Sequence, residues 1–80
     1  MEKSTESLEK LKNIISQNLI NCRKSKNQTQ AEFAEYCGIS LYRLKKLESG
    51  QLNISLKVLM IIAKQLGCTA ANLVTDKYFQ

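Results

Sequence analysis

Thr29-Gln30-Ala31-Glu32-Phe33-Ala34-Glu35-Tyr36-Cys37-Gly38-Ile39-Ser40-Leu41-Tyr42-Arg43-Leu44-Lys45-Lys46-Leu47-Glu48-Ser49-Gly50 carries the signals of two short helices joined by a tight turn. Thr29 followed three residues later by Glu32 is a capping box, in which hydroxyl and carboxylate satisfy orphan N–H groups at a helix start. A helix is therefore expected from Gln30. Phe33, Ala34 and Cys37 fall on one apolar stripe, and Gly38 stands where the chain needs a left-handed backbone that glycine adopts cheaply. Ile39 is expected to bury itself in the turn. Ser40 is a good N-cap for a second helix, Leu41 to Ser49, whose apolar positions Leu44 and Leu47 are three apart. Gly50 stops it.

At about 100° per residue along this second helix, Leu44 and Leu47 mark the buried side, while Leu41, Tyr42, Lys45, Lys46 and Ser49 cluster opposite. Those five form a candidate reading face. Glu48 lies at the edge of the buried side, where a lone carboxylate is costly to desolvate, so a partner is expected for it. Two helices, a glycine turn and a basic outer face make a helix-turn-helix, which points to DNA.

Working outward, the pattern predicts an N-terminal helix from Thr5 to Ser25, with Leu8, Leu11, Ile15, Leu19 and Cys22 on a stripe and Ile14 beside it. Lys24 to Gln28 is polar and reads as a loop. After a second loop, Gly50 to Ile54, Ser55 caps a helix running to Leu66, with Leu56, Leu59, Ile62, Ala63 and Leu66 inward. Thr69 then caps a short helix from Ala70 to Val74. The expectation is an all-α fold of five helices without linker or repeat. It is read as one domain, residues 1–80: an N-terminal helical extension (1–12), the helix-turn-helix (29–49) and a C-terminal tail (75–80).

Composition agrees with a small intracellular domain. Eighty residues allow one modest core, with no proline and with Gly38, Gly50 and Gly67 each placed where a helix should end. Cys22, Cys37 and Cys68 are an odd count without Cys-x-x-Cys spacing, and histidine is absent, so neither a disulfide framework nor a zinc site is favoured. Buried, reduced thiols are expected. The longest apolar run, Val58 to Ala63, falls far short of the roughly 20 residues that span a bilayer, and no signal-peptide pattern opens the chain. A soluble, cytoplasmic protein without membrane contact is expected. Of the net charge of +5, the segment Arg23 to Lys57 supplies +4, from seven basic residues (Arg23, Lys24, Lys26, Arg43, Lys45, Lys46, Lys57) against Glu32, Glu35 and Glu48. Such a patch attracts a phosphate backbone.

From about Leu19 to Val74 the chain resembles the lambda repressor and Cro-like (XRE-type) helix-turn-helix domain. The matching residues are Arg23, Thr29-Gln30, Ala34, Gly38-Ile39-Ser40, Leu44, Leu47, Glu48 and Gly50, then Ser55-Leu56, Leu59, Ile62-Ala63, Leu66-Gly67 and Leu73. The resemblance implies a compact five-helix lambda-repressor-like DNA-binding domain, here with an extended first helix. It also implies a partly buried ion pair between Arg23 and Glu48. Family members commonly dimerise through the C-terminal end. Ile61, Cys68, Val74, Tyr78 and Phe79 are thus expected to form the self-complementary patch of a homodimer, with recognition helices one DNA turn apart, about 34 Å.

The chain departs from the family in three places. An apolar residue usually stands where Gln28 is. Leu41 and Tyr42 replace the usual polar residues at the first two recognition positions, so the glutamine network of some phage repressors is not expected and the target sequence does not transfer. Asn53-Ile54-Ser55-Leu56 lacks the common proline, and is similar to restriction-modification controllers and small phage regulators.

The expected function is a sequence-specific double-stranded DNA-binding transcriptional regulator, a repressor or controller of phage or bacterial type. Its recognition helix would enter the major groove, with Ser40, Leu41, Tyr42 and Lys46 against base edges. Thr29, Gln30, Arg43, Lys45, Ser49, Gln51 and Asn53 are candidates for phosphate contacts, the first two through a helix N-terminus. No cofactor, metal or small-molecule ligand is expected. Two alternatives use the same fold, a protein-interaction module docking through Leu41, Tyr42 and the lysines, and an antitoxin. An enzyme is the least expected class, because histidine, a glycine-rich phosphate loop and a metal-ligand cluster are all missing from the sequence.

Overall fold

The longest element is α1, Glu2–Ser25, 24 residues that at a rise of about 1.5 Å each account for the molecule's 38 Å long axis. The structure, a computed structural model, describes residues 2–51 and 54–79. After α1 come α2 (Gln30–Cys37), α3 (Leu41–Glu48), α4 (Leu56–Leu66) and α5 (Ala70–Leu73). Among the described residues there is no strand, so the fold is all-α. Helix α1 starts three residues before the expected Thr5, while α3 and α5 each end one residue early, Ser49 and Val74 acting as C-caps.

Caps explain most of these boundaries. Thr29 and Glu32 form the full capping box, and the Ser40, Ser55 and Thr69 side chains each accept from the backbone N–H three residues on. Helix α1 closes through Asn27 at a φ of +55°, a conformation asparagine tolerates better than most residues, with the Gln28 N–H donating to the Arg23 carbonyl. Gly38 takes a φ of +76° between α2 and α3. At Gly50 the φ is +74°, and a Cβ there would stand 3.3 Å from Asn13 Oδ1, so a side chain is disfavoured by strain and by space.

The core draws Ile15, Leu19 and Cys22 from α1, Phe33, Ala34 and Cys37 from α2, Leu44 and Leu47 from α3, Leu59, Ile62 and Ala63 from α4, and Leu73 from α5. Three expectations about burial need correction. Leu8 and Leu11 lie on the inward stripe of α1 but are exposed, lining an open groove with Leu56 and Leu59 of α4 rather than a closed core. Leu56 is exposed rather than inward: it begins α4, on the side turned towards Met60 and Lys64. Cys68 is half-buried, whereas Cys22 and Cys37 are buried; all three are free thiols. Burial pushes the Cys37 thiol up to about 12, with Cys22 and Glu48 adding to the rise and Lys26 opposing it, so it is an inert packing group.

The end of the chain is tied back to α1. Asn18, fully buried, donates through Nδ2 to the carbonyls of Leu73 (2.8 Å) and Thr75 (2.9 Å), and its Oδ1 accepts from the Phe79 N–H (3.4 Å). Asn21 Nδ2 donates to the Phe79 carbonyl at 2.9 Å. Val74, Cys68 and Phe79 pack against the chain's own core. Of the five residues expected to make a dimer patch, Ile61 and Tyr78 are the exposed ones. Asn18→Ala is expected to cost about 1–3 kcal/mol, since it strands the buried Leu73 carbonyl. Urea denaturation reads this as a lower midpoint at unchanged slope, and an unmoved midpoint would show the tail bonds to be idle.

Candidate nucleic-acid interface

Helix α3 sits on the fold through its buried Leu44 and Leu47, and an ionic lock fixes its far end. Arg23 Nε donates to Glu48 Oε2 at 2.8 Å and Arg23 Nη2 to Oε1 at 3.1 Å, a two-pronged pair of largely buried side chains. Gln30 Nε2 adds a third bond to Oε1 at 2.9 Å. Ser16 Oγ donates to the Glu48 backbone carbonyl. One residue of α3 is thereby tied to α1 twice and to the start of α2 once, which sets the angle at which the outer face of α3 is presented.

That outer face is solvent-facing. Tyr42 is 70% exposed, and Ser40, Leu41, Arg43, Lys45 and Ser49 are exposed beside it. Lys46 is half-buried between two neighbours: its ammonium lies 5.6 Å from the Tyr42 ring centroid and donates to Gln51 Oε1 at 3.3 Å. The cation is thus held on the Tyr42 side rather than swinging free. Arg43 and Lys45 carry no such tether among the described residues and extend the positive charge around the helix.

The structure places the expected phosphate-contact residues unequally. Thr29 is exposed at the start of α2, but its N–H is taken by Glu32 Oε1 at 2.8 Å. The Gln30 side chain turns to Glu48, so this residue offers its backbone N–H rather than its amide. Ser49 Oγ gives its proton to the Lys46 carbonyl at 2.9 Å. Gln51 is exposed and shares Lys46. Asn53 lies outside the described residues.

Three contributors escaped the sequence reading: Ser16, Asn18 and the Gln30–Glu48 bond. Ser16 and Asn18 are polar residues on either flank of the α1 stripe, and that placement is the only signal that they would be buried. Gln28, where the family usually has an apolar residue, is half-buried, and its Oε1 is buried without a hydrogen-bond partner among the described residues.

Among the described residues no group of three or more His, Cys, Asp or Glu side chains could hold a metal ion, and no helix is long and apolar enough to cross a membrane. Five helices among the described residues, two of them joined by the Gly38 turn and the second held outward by a three-helix lock, define a helix-turn-helix protein. A model of the helix-turn-helix family matches residues 19–73. The chain belongs to that family, in its lambda repressor-like (XRE) form. Among solved structures it is similar to a hypothetical transcription factor, NHTF, from Neisseria, at 27% identity and a TM-score of 0.76, over 84% of this chain and 77% of the other. No curated protein is significantly similar in sequence. Family and neighbour together support a DNA-binding regulator.

Proposed function

We propose that the protein is a sequence-specific double-stranded DNA-binding transcriptional regulator of phage or bacterial type, acting as a repressor or controller from a homodimer. Helix α3 enters the major groove, with Leu41 against a thymine methyl, Lys46 donating to guanine O6 or N7, and Ser40 and Tyr42 completing the base contacts. Arg43, Lys45 and Gln51 hold phosphates on either side. The first N–H groups of α2, with the Thr29 hydroxyl, hold another. Ser49 joins them by exchanging its bond to Lys46. The observation that carries this reading is the exposed Tyr42 with Lys46 held beside it, on a helix whose opposite face is locked into the fold.

Selection of bound duplexes from a random pool supplies the probe. Against the selected site, Lys46→Ala is expected to lose about 1–3 kcal/mol of discrimination at one base position per half-site. Lys45→Ala is expected to weaken selected and random duplexes alike. A Lys46→Ala protein that keeps the full sequence preference would remove this face from base reading.

A further inference from the structure

Gln51 stands just past the C-terminal end of α3, and two bonds return it to the same residue, Lys46. Its backbone N–H donates to the Lys46 carbonyl at 3.0 Å, while the Gly50 N–H donates to the Leu47 carbonyl at 3.1 Å. With Gly50 at a φ of +74°, these are the paired bonds of a Schellman turn. The turn carries the Gln51 side chain back to the helix, where its Oε1 accepts from Lys46 Nζ at 3.3 Å.

The carboxamide has two unlike ends, and the ammonium decides which way round they stand. A lysine ammonium only donates, so it takes the oxygen. This leaves both Nε2 protons for another acceptor, and among the described residues none takes them. Gln51 is exposed, so an anionic oxygen from outside can reach that donor. Lys46 has protons to spare as well: of the three on its ammonium, one lies on Gln51 and two remain for guanine O6 and N7. The Tyr42 ring flanks the same ammonium, its centroid 5.6 Å from Nζ. An untethered lysine would settle on a phosphate of any duplex, whatever the sequence. Holding the ammonium between ring and carboxamide removes that choice, and it lowers the entropy cost of setting a long side chain on one base.

We propose that Gln51 is a positioning residue for base reading: its Oε1 keeps Lys46 on the base side of α3 while its Nε2 donates to a backbone phosphate. Docking on the backbone and reading of the base are thereby joined through one carboxamide. The proposal rests on the DNA reading above, and it gives a second role to a residue which that reading sets on phosphate alone.

The test uses the full chain with two duplexes, the selected one and the same duplex substituted at the base pair that Lys46→Ala ceases to discriminate. Gln51→Ala is expected to lower the affinity ratio between them by about three- to tenfold. Added to Lys46→Ala, it should leave that ratio where Lys46→Ala put it and still weaken both duplexes, through the lost phosphate contact. Gln51→Glu keeps an acceptor for Lys46 but offers a phosphate no donor, so it should retain most of the ratio while weakening both duplexes. Alanine and glutamate keep the backbone bond to Lys46, and circular dichroism with a urea midpoint checks the fold of each variant. An undiminished ratio in Gln51→Ala overturns the proposal. So does a Gln51→Glu protein that loses as much of the ratio as alanine does, or a Gln51→Ala effect on the ratio that persists without Lys46. Unchanged affinities when Gln51→Ala is added to Lys46→Ala remove the phosphate half. The failures are distinguishable: if Lys46→Ala discriminates as the parent does, base reading by this face falls and the Gln51 role with it, whereas a loss in Lys46→Ala alone leaves the base reading standing and removes only the role of Gln51.

Discussion

Arg23→Ala is expected to destabilise the protein by about 3–5 kcal/mol, the cost of leaving a buried charge without its partner. The Glu48 carboxylate accepts three hydrogen bonds, two of them from Arg23, and the side chain is only 5% exposed. In Arg23→Ala the carboxylate keeps Gln30 alone, and the fold covers it too closely for water to replace the guanidinium freely. Small domains have about 5–15 kcal/mol in total, so the variant should unfold at a much lower urea midpoint. The double variant Arg23→Met/Glu48→Leu is expected to recover most of the loss, because two apolar groups of similar size remove both charges from the interior together. A single variant losing less than about 1 kcal/mol would class the pair with ordinary solvated surface pairs. The double variant is also informative for function: α3 would remain packed through Leu44 and Leu47, but the bonds that set its angle would be gone. Weakened duplex binding in a stable double variant would show that the lock orients the reading face as well as holding the fold.

The helix-turn-helix was legible because its signals are local. A Thr29–Glu32 capping box, a Gly38 turn and a Ser40 cap each act over three or four residues, and each falls where the sequence places it. The resemblance implied the Arg23–Glu48 contact, and Glu48 at the edge of a buried side already called for a partner. What failed was extrapolation from periodicity. Leu8 and Leu56 have the right spacing for their inward stripes, yet burial depends on whether another element reaches that far, which spacing does not encode. Asn18 shows the converse: a polar residue at the edge of a stripe, fully buried because tail carbonyls from more than fifty positions away need its amide. Cys68, Val74 and Phe79, expected in a dimer patch with Ile61 and Tyr78, pack against the chain's own core, and apolarity alone does not distinguish a partner's surface from α1.

If the reading face grips a duplex, affinity must respond steeply to salt. Arg43 and Lys45 are exposed and, set on phosphates in the proposed homodimer, would neutralise four charges; at about 0.9 per phosphate the slope of log affinity against log salt would be about −3.6. Between roughly 50 and 200 mM salt the selected duplex should therefore be bound at least about 100-fold more weakly, with additional backbone contacts steepening the fall. Lys45→Ala removes two of the four charges and should flatten the slope by about 1.8, whereas Lys46→Ala, which acts on a base, should leave the slope near its original value and change the preferred sequence. This pair of responses separates the two roles that a general basic patch would merge. A protein partner docking on Leu41 and Tyr42 would bury apolar area and show little of this salt dependence. A flat response, or equal slope changes from the two lysines, would mean that the outward side of α3 is built for something other than the phosphate-lined groove.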